Sequence, residues 1–232
     1  MISKRLSTGC LAVALFAAGS AHAQFYIRAD GAVSQSARAD FKDNGNFIIC
    51  GDPACGTPGQ FDDFGTGAAV SVGAGTRFAA NGRLDFTVTG RKYKLDQNDK
   101  AVPATKFKAD LTSLALMGNI YLELSAGGVT PYLGVAIGAA QNRLGDLTFD
   151  DGAGFQGKVA GDAKLGFAYG FMFGFSFPVA SHLAFDLAYR FMNLGDVHTV
   201  LNQPLTVGGI TANYPGASGH LLAHELAFGV RF

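Results

Sequence analysis

Charge is scarce in this sequence. Asp, Glu, Lys and Arg make up 16% of its 232 residues, against about 25% in ordinary soluble domains, which is unusual for a chain whose whole surface meets water. Neither sign dominates: 18 basic side chains balance 18 acidic ones, so there is no hint of a nucleic-acid partner. Tryptophan is absent. Beyond the first residues, uninterrupted apolar runs are missing too. The best later stretch, Leu165 to Ala180, is broken by glycines and holds Pro178, whereas a membrane-spanning helix needs about 20 consecutive apolar residues. Cysteine is limited to Cys10, Cys50 and Cys55.

Residues 1–23 carry the marks of an export signal. Lys4 and Arg5 are followed by an apolar core from Leu11 to Ala18 and by Ala21-His22-Ala23, the small-x-small pattern of a cleavage site. The apolar core is too short to cross about 30 Å of hydrocarbon as a helix. Cleavage would leave residues 24–232 as one domain, with 16 basic against 18 acidic side chains, a net charge of −2. It would also leave Cys50 and Cys55, spaced as Cys-Gly-Asp-Pro-Ala-Cys, in an oxidising compartment. A local disulfide is expected there, because the segment offers no further ligands for a metal.

What the sequence has in quantity is glycine, 32 residues, and phenylalanine, 20 residues. From Leu165 to Phe177 they alternate without a slip. Leu165, Phe167, Tyr169, Phe171, Phe173, Phe175 and Phe177 occupy the odd positions, and Gly166, Ala168, Gly170, Met172, Gly174 and Ser176 the even ones. A period of two puts the rings on one face of a β-strand and the small residues on the other. In a sheet bathed by water, the face away from the core would carry charges. Here one face is greasy and the other crowded and small, which fits a narrow barrel with lipid outside.

Eight such segments follow one another: Phe25 to Ser34, Thr66 to Phe78, Arg83 to Arg91, Asp110 to Glu123, Pro131 to Asn142, Leu165 to Phe177, Leu183 to Met192, and His220 to Phe232. The connections alternate long and short, with a charged loop at Lys92 to Lys106, a polar one at Arg143 to Asp162 and a last one at Asp196 to Ser218. No open edge survives in lipid. The expected fold is therefore all-β: an eight-stranded antiparallel up-and-down transmembrane barrel with long external loops and both termini on the short-turn side.

Face parity also constrains register, since residues opposite each other on antiparallel strands share a face. The turn between the second and third strands must have an odd number of residues. The expected form is a three-residue loop, Ala80 to Gly82 with Gly82 left-handed, placing Arg77 opposite Asp85 and Phe78 opposite Leu84. The same reasoning sets Phe175 opposite Phe185 and Gly170 opposite Arg190.

The inward faces carry Arg28, Asp30, Arg77, Arg83, Asp85, Glu123, Asp186, Arg190, Glu225 and Arg231. Five are basic and five acidic, so the set can neutralise itself. An eight-stranded barrel has room for side chains and little else, so a salt-bridged plug is favoured over a pore lining or a catalytic pair. His220 and His224 cannot share a metal ion, because four residues of a strand span about 13 Å. The glycine-rich stretches Gly65 to Gly75 and Gly134 to Gly138 lack the Lys and Ser/Thr of a phosphate loop. No cofactor, metal or catalytic constellation is expected.

Three stretches now carry a resemblance: Phe25-Tyr26-Ile27-Arg28-Ala29-Asp30-Gly31-Ala32, Thr130 to Gly138, and Phe185-Asp186-Leu187-Ala188-Tyr189-Arg190-Phe191. They are similar to the opacity-type, OmpA-like outer-membrane β-barrel proteins of Gram-negative bacteria. The closing residues Leu226 to Phe232, with Phe228, Val230 and Phe232, resemble the C-terminal signal by which the barrel assembly machinery recognises that class. The resemblance implies an outer-membrane location, contact with lipid and lipopolysaccharide, and a structural, surface-exposed role without catalysis. The alternatives it carries are a narrow porin, an adhesin binding an external ligand through its loops, and, less favoured, a lipid A-modifying enzyme.

Overall fold

A computed structural model describes residues 24–37, 42–43, 63–98, 106–124, 128–150, 152, 156–207 and 210–232. The export signal, Cys50 and Cys55 lie outside these residues.

Thirteen strands follow in order: β1 (Phe25–Ala37), β2 (Lys42–Asp43), β3 (Thr66–Arg77), β4 (Gly82–Asn98), β5 (Lys106–Glu123), β6 (Thr130–Leu144), β7 (Leu147–Asp150), β8 (Gln156–Val159), β9 (Ala163–Ala180), β10 (Leu183–His198), β11 (Gln203–Val207), β12 (Ile210–Tyr214) and β13 (Ala217–Arg231). Eight of them form a ring in the order β4-β3-β1-β13-β10-β9-β6-β5, which the β4–β5 ladder closes. All pairings are antiparallel, and the chain ends meet where Ile27 and Phe232 exchange backbone hydrogen bonds.

The period of two decides which way each side chain points. Phe25, Ile27 and Val33 of β1, Val70 and Val72 of β3, Leu114 and Leu116 of β5 and the β9 rings from Phe167 to Phe177 are exposed on the outer wall. That wall would be untenable in water. In lipid it is what the surroundings demand, since an Arg or Lys at the bilayer midplane costs roughly 2–4 kcal/mol. From Phe25 to Val33, a strand tilted about 40° climbs roughly 20–23 Å, close to the apolar band of such barrels. Polar side chains mark its upper edge: Gln35, Thr66, Asn193 and His224. The Asn193 amide donates to the Tyr169 hydroxyl at 3.2 Å, and the His224 ring pairs with the Tyr189 hydroxyl.

Both turn registers differ from expectation by two residues. Arg77 stands opposite Arg83 and Gly75 opposite Asp85. The turn does have three residues, Ala79 to Asn81, one place earlier than expected. Phe78 N–H donates to Gly82 C=O at 3.1 Å and Gly82 N–H to Ala79 C=O at 3.3 Å. Gly82 is not left-handed. A Cβ there would come within 2.6 Å of the Phe78 ring, so its glycine serves packing. On the other hairpin, Phe177 faces Phe185, Phe175 faces Leu187 and Met172 faces Arg190. The ladder there shifts between Leu183 and Ala184, and this irregularity tightens the turn to the residues around Ser181 and His182.

In three segments expected as loops, most of the described residues are strand. β4 and β5 stay paired out to Asn98 and Lys106, β7 and β8 form a flap on β5, and β11 pairs with β12. Above the membrane band the pattern inverts. Tyr93, Leu95, Phe107, Leu111, Leu147, Phe149, Val197 and Leu221 are buried inside, while Lys92, Lys94, Asp96, Lys106 and Lys108 face outward and are exposed. A bulge in β10 carries Gly195 at φ 81°. Its carbonyls at Leu194 and Asp196 accept hydrogen bonds from the Asn142 amide at 2.7 and 3.1 Å.

Candidate functional site: a charged plug in the barrel lumen

Below that apolar cap the lumen is filled by charge. At the end that carries the short β3–β4 turn, Glu123 gathers three arginines. Its Oε1 accepts from Arg83 Nη1 at 2.9 Å and Arg231 Nη1 at 3.2 Å, and its Oε2 lies 2.9 Å from Arg77 Nη2. Arg231 Nη2 also donates to Ser176 Oγ at 2.6 Å and lies 3.6 Å from Asp186. The Arg83 guanidinium is wholly buried and sits 4.1 Å from the Tyr121 ring centroid and 5.1 Å from that of Tyr132. The aromatic faces supply part of the stabilisation that water would otherwise give a buried cation.

One layer higher, Arg28 donates to Asp85 at 3.1 Å, to Asp30 at 3.1 Å and to the Tyr121 hydroxyl at 2.7 Å. Asp85 is satisfied on both oxygens. Tyr26 and Arg28 reach Oδ2, while Asn119 reaches Oδ1 at 2.7 Å. Arg190 pairs with the other oxygen of Asp30. In the next layer Glu225 accepts from Arg91 Nε at 2.6 Å and from Ser34 at 3.2 Å, and Arg190 lies 3.8 Å from its second oxygen. The shared Arg190 links the middle and upper layers into one network.

Nine of the ten lumen residues named from the sequence are buried in this network. Arg77 is the exception: its side chain is 41% exposed at the short-turn rim, so it caps the plug from outside. Sequence reasoning missed Arg91, whose side chain is buried against Glu225. The signal was present, because position 91 continues the inward parity of Arg83, Asp85, Thr87 and Thr89. The sequence pattern makes it the last residue of a strand that in fact runs on to Asn98. Tyr26, Tyr121 and Tyr132 also occupy inward positions: their rings surround the Arg83 guanidinium, and the Tyr121 hydroxyl accepts from Arg28.

Chemically the arrangement is a set of mutually neutralised pairs. The void bounded by Arg28, Asp30, Arg91, Asn119, Tyr121 and Arg190 measures about 20 Å3, enough for roughly one water molecule. His220 pairs with Asp196 at 2.7 Å and His224 with Tyr189, so the two histidines have separate partners. Among the described residues no group of three or more His, Cys, Asp or Glu is gathered for a metal.

Comparison with known proteins gives the same architecture. Among solved structures, OprG from Pseudomonas aeruginosa aligns over 90% of this chain and 95% of its own, at 16% identity and a TM-score of 0.55. Neisserial surface protein A aligns over 89% of this chain and 95% of its own, at 20% identity and a TM-score of 0.45. At these identities the likeness concerns the fold. Comparison with curated protein sequences gives no match. The model of the outer membrane protein beta-barrel domain matches residues 7–221. The chain therefore belongs to the outer membrane β-barrel domain family and resides in the bacterial outer membrane.

Proposed function

We propose that this barrel is a closed structural and surface-exposed protein of the outer membrane that neither conducts nor catalyses. The observation that carries this reading is the filling of its lumen: three tiers of shared ion pairs, the upper two bounding a void of about 20 Å3, under an apolar cap of buried Phe107, Leu111, Phe149 and Leu221. A hydrated ion crossing this path would have to part arginine–carboxylate pairs whose separate burial is far costlier than their mutual contact. It would then have to cross a dry layer. The paired strands above the membrane band would hold the connecting segments clear of the lipid surface for contact with the surroundings. The closing residues Phe228, Val230 and Phe232 would serve as the assembly signal.

Reconstitution into planar lipid bilayers tests the closed state. The folded barrel should give no steady channel current above the bare-membrane baseline. Regular open steps would favour the narrow-porin reading instead.

A further inference from the structure

We propose that the cavity inside the plug is a binding site for one halide ion, chloride under natural conditions, bordered by the guanidinium groups of Arg28, Arg91 and Arg190. The inference rests on the filled lumen described above, but its experiment fails separately: a closed barrel whose cavity holds only water overturns the anion and leaves the closed state intact.

Donors outnumber acceptors around this cavity. Three guanidinium groups border it against a single carboxylate, that of Asp30. Two of the three keep a buried nitrogen without a hydrogen-bond partner among the described residues: Nε of Arg28 and Nη1 of Arg91. A charged donor left unpaired in a dry interior is destabilising, and an acceptor placed beside it relieves that cost. The acceptors close by are already engaged. Asp30 takes Arg28 on one oxygen and Arg190 on the other, and Glu225 Oε1 takes Arg91 Nε at 2.6 Å and Ser34 at 3.2 Å. Thr87 accepts from the Asn119 amide at 3.0 Å, and Thr89 shares a hydrogen bond with Ser71 at 2.9 Å.

Much of the remaining wall is thioether. Every methionine after Met1, namely Met117, Met172 and Met192, borders this one cavity, and thioether sulfur is a weak acceptor. A water molecule would serve the unpaired donors through its oxygen, but it would bring two hydrogens to a wall with few acceptors to spare. An anion only accepts, so it meets both conditions. Size narrows the class further. A volume of about 20 Å3 takes a particle near one water molecule in size, which admits chloride and shuts out phosphate, sulfate and carboxylates. Charge points the same way. With Arg77 at the rim included, the plug sets six arginines (28, 77, 83, 91, 190 and 231) against five carboxylates (30, 85, 123, 186 and 225). One bound anion closes that difference.

The test is crystallography of the barrel refolded and crystallised in sodium bromide, with data collected above the bromine absorption edge. One anomalous peak is expected in the cavity, within hydrogen-bond distance of Arg28 Nε and Arg91 Nη1. A cavity without anomalous signal overturns the site. Urea unfolding in neutral detergent, with chloride exchanged for gluconate at constant ionic strength, separates a working site from an adventitious ion only. Gluconate is too large for the cavity, so the unfolding constant should fall as chloride rises, by about tenfold per tenfold increase once the site is saturated. Equal stability in the two salts overturns the proposal. Met117→Glu, close to methionine in length, brings a carboxylate to the wall and should abolish both the peak and the chloride dependence. Met117→Leu should keep both. Heat-dependent gel migration checks that each variant is folded. A folded Met117→Glu barrel that still holds bromide contradicts the assignment.

Discussion

Glu123 shows how a single residue holds the plug together. It is buried and neutralises Arg83 and Arg231, while also anchoring Arg77 at the rim. Removing it by Glu123→Ala would leave two buried guanidinium groups short of an anion. Breaking a buried ion network from one side costs roughly 3–5 kcal/mol. Equilibrium unfolding of the refolded barrel in urea should register a loss of that size for Glu123→Ala. The rim variant Arg77→Ala, which removes a half-solvated partner, should cost under about 1 kcal/mol. Equal losses would mean that the network does not depend on burial. The inward charges were legible in the sequence because a charge on a strand whose other face is apolar has one place to go. Their partners were not legible. Arg190 bonds with Asp30, 160 positions away, and Arg91 with Glu225, 134 positions away, and only closure of the ring brings such residues together.

At the level of strands and turns, sequence and structure part company for two physical reasons. Parity fixes the face of a residue but leaves register free in steps of two, and the two short turns took the neighbouring step. In one, the Phe78 ring packs on Gly82; in the other, an irregularity at Leu183 absorbs a residue. The second reason is solvent. Inside the membrane band a strand is recognised by apolar side chains pointing out, so Lys92, Lys94, Lys106 and Lys108 look like loop residues. Above the band the outside is water and the signal inverts. Tyr93 and Leu95 continue the inward parity with apolar side chains, and the lysines decorate the exposed face of the same strands. The register is open to a chemical test. With Cys50 and Cys55 replaced by serine, the pair Phe175→Cys and Leu187→Cys should cross-link on oxidation of the folded barrel. Phe175→Cys with Phe185→Cys, offset by one step, should stay reduced. The opposite outcome would restore the register expected from the sequence.

The whole molecule is organised by three environments stacked along one closed sheet. A charged lumen sits within a hydrocarbon-facing wall, and an extension with an ordinary dry core sits above it. Ring closure satisfies every strand edge that lipid would otherwise leave bare. The shift from polar to apolar filling tracks the level at which the outside changes from lipid to water. The eight strands, the closure and the contact with lipid follow from the alternation of large and small residues. The outer cap follows from the same alternation with its sign reversed. Because the chain has no tryptophan, one introduced ring reports its surroundings cleanly. Phe171 stands on the outer wall at 57% exposure, and Phe171→Trp in bilayers of acyl-chain-brominated lipid measures directly what bathes that face. The account predicts strong quenching by the brominated chains and little by aqueous acrylamide. Quenching by acrylamide with no response to the brominated lipid would contradict it.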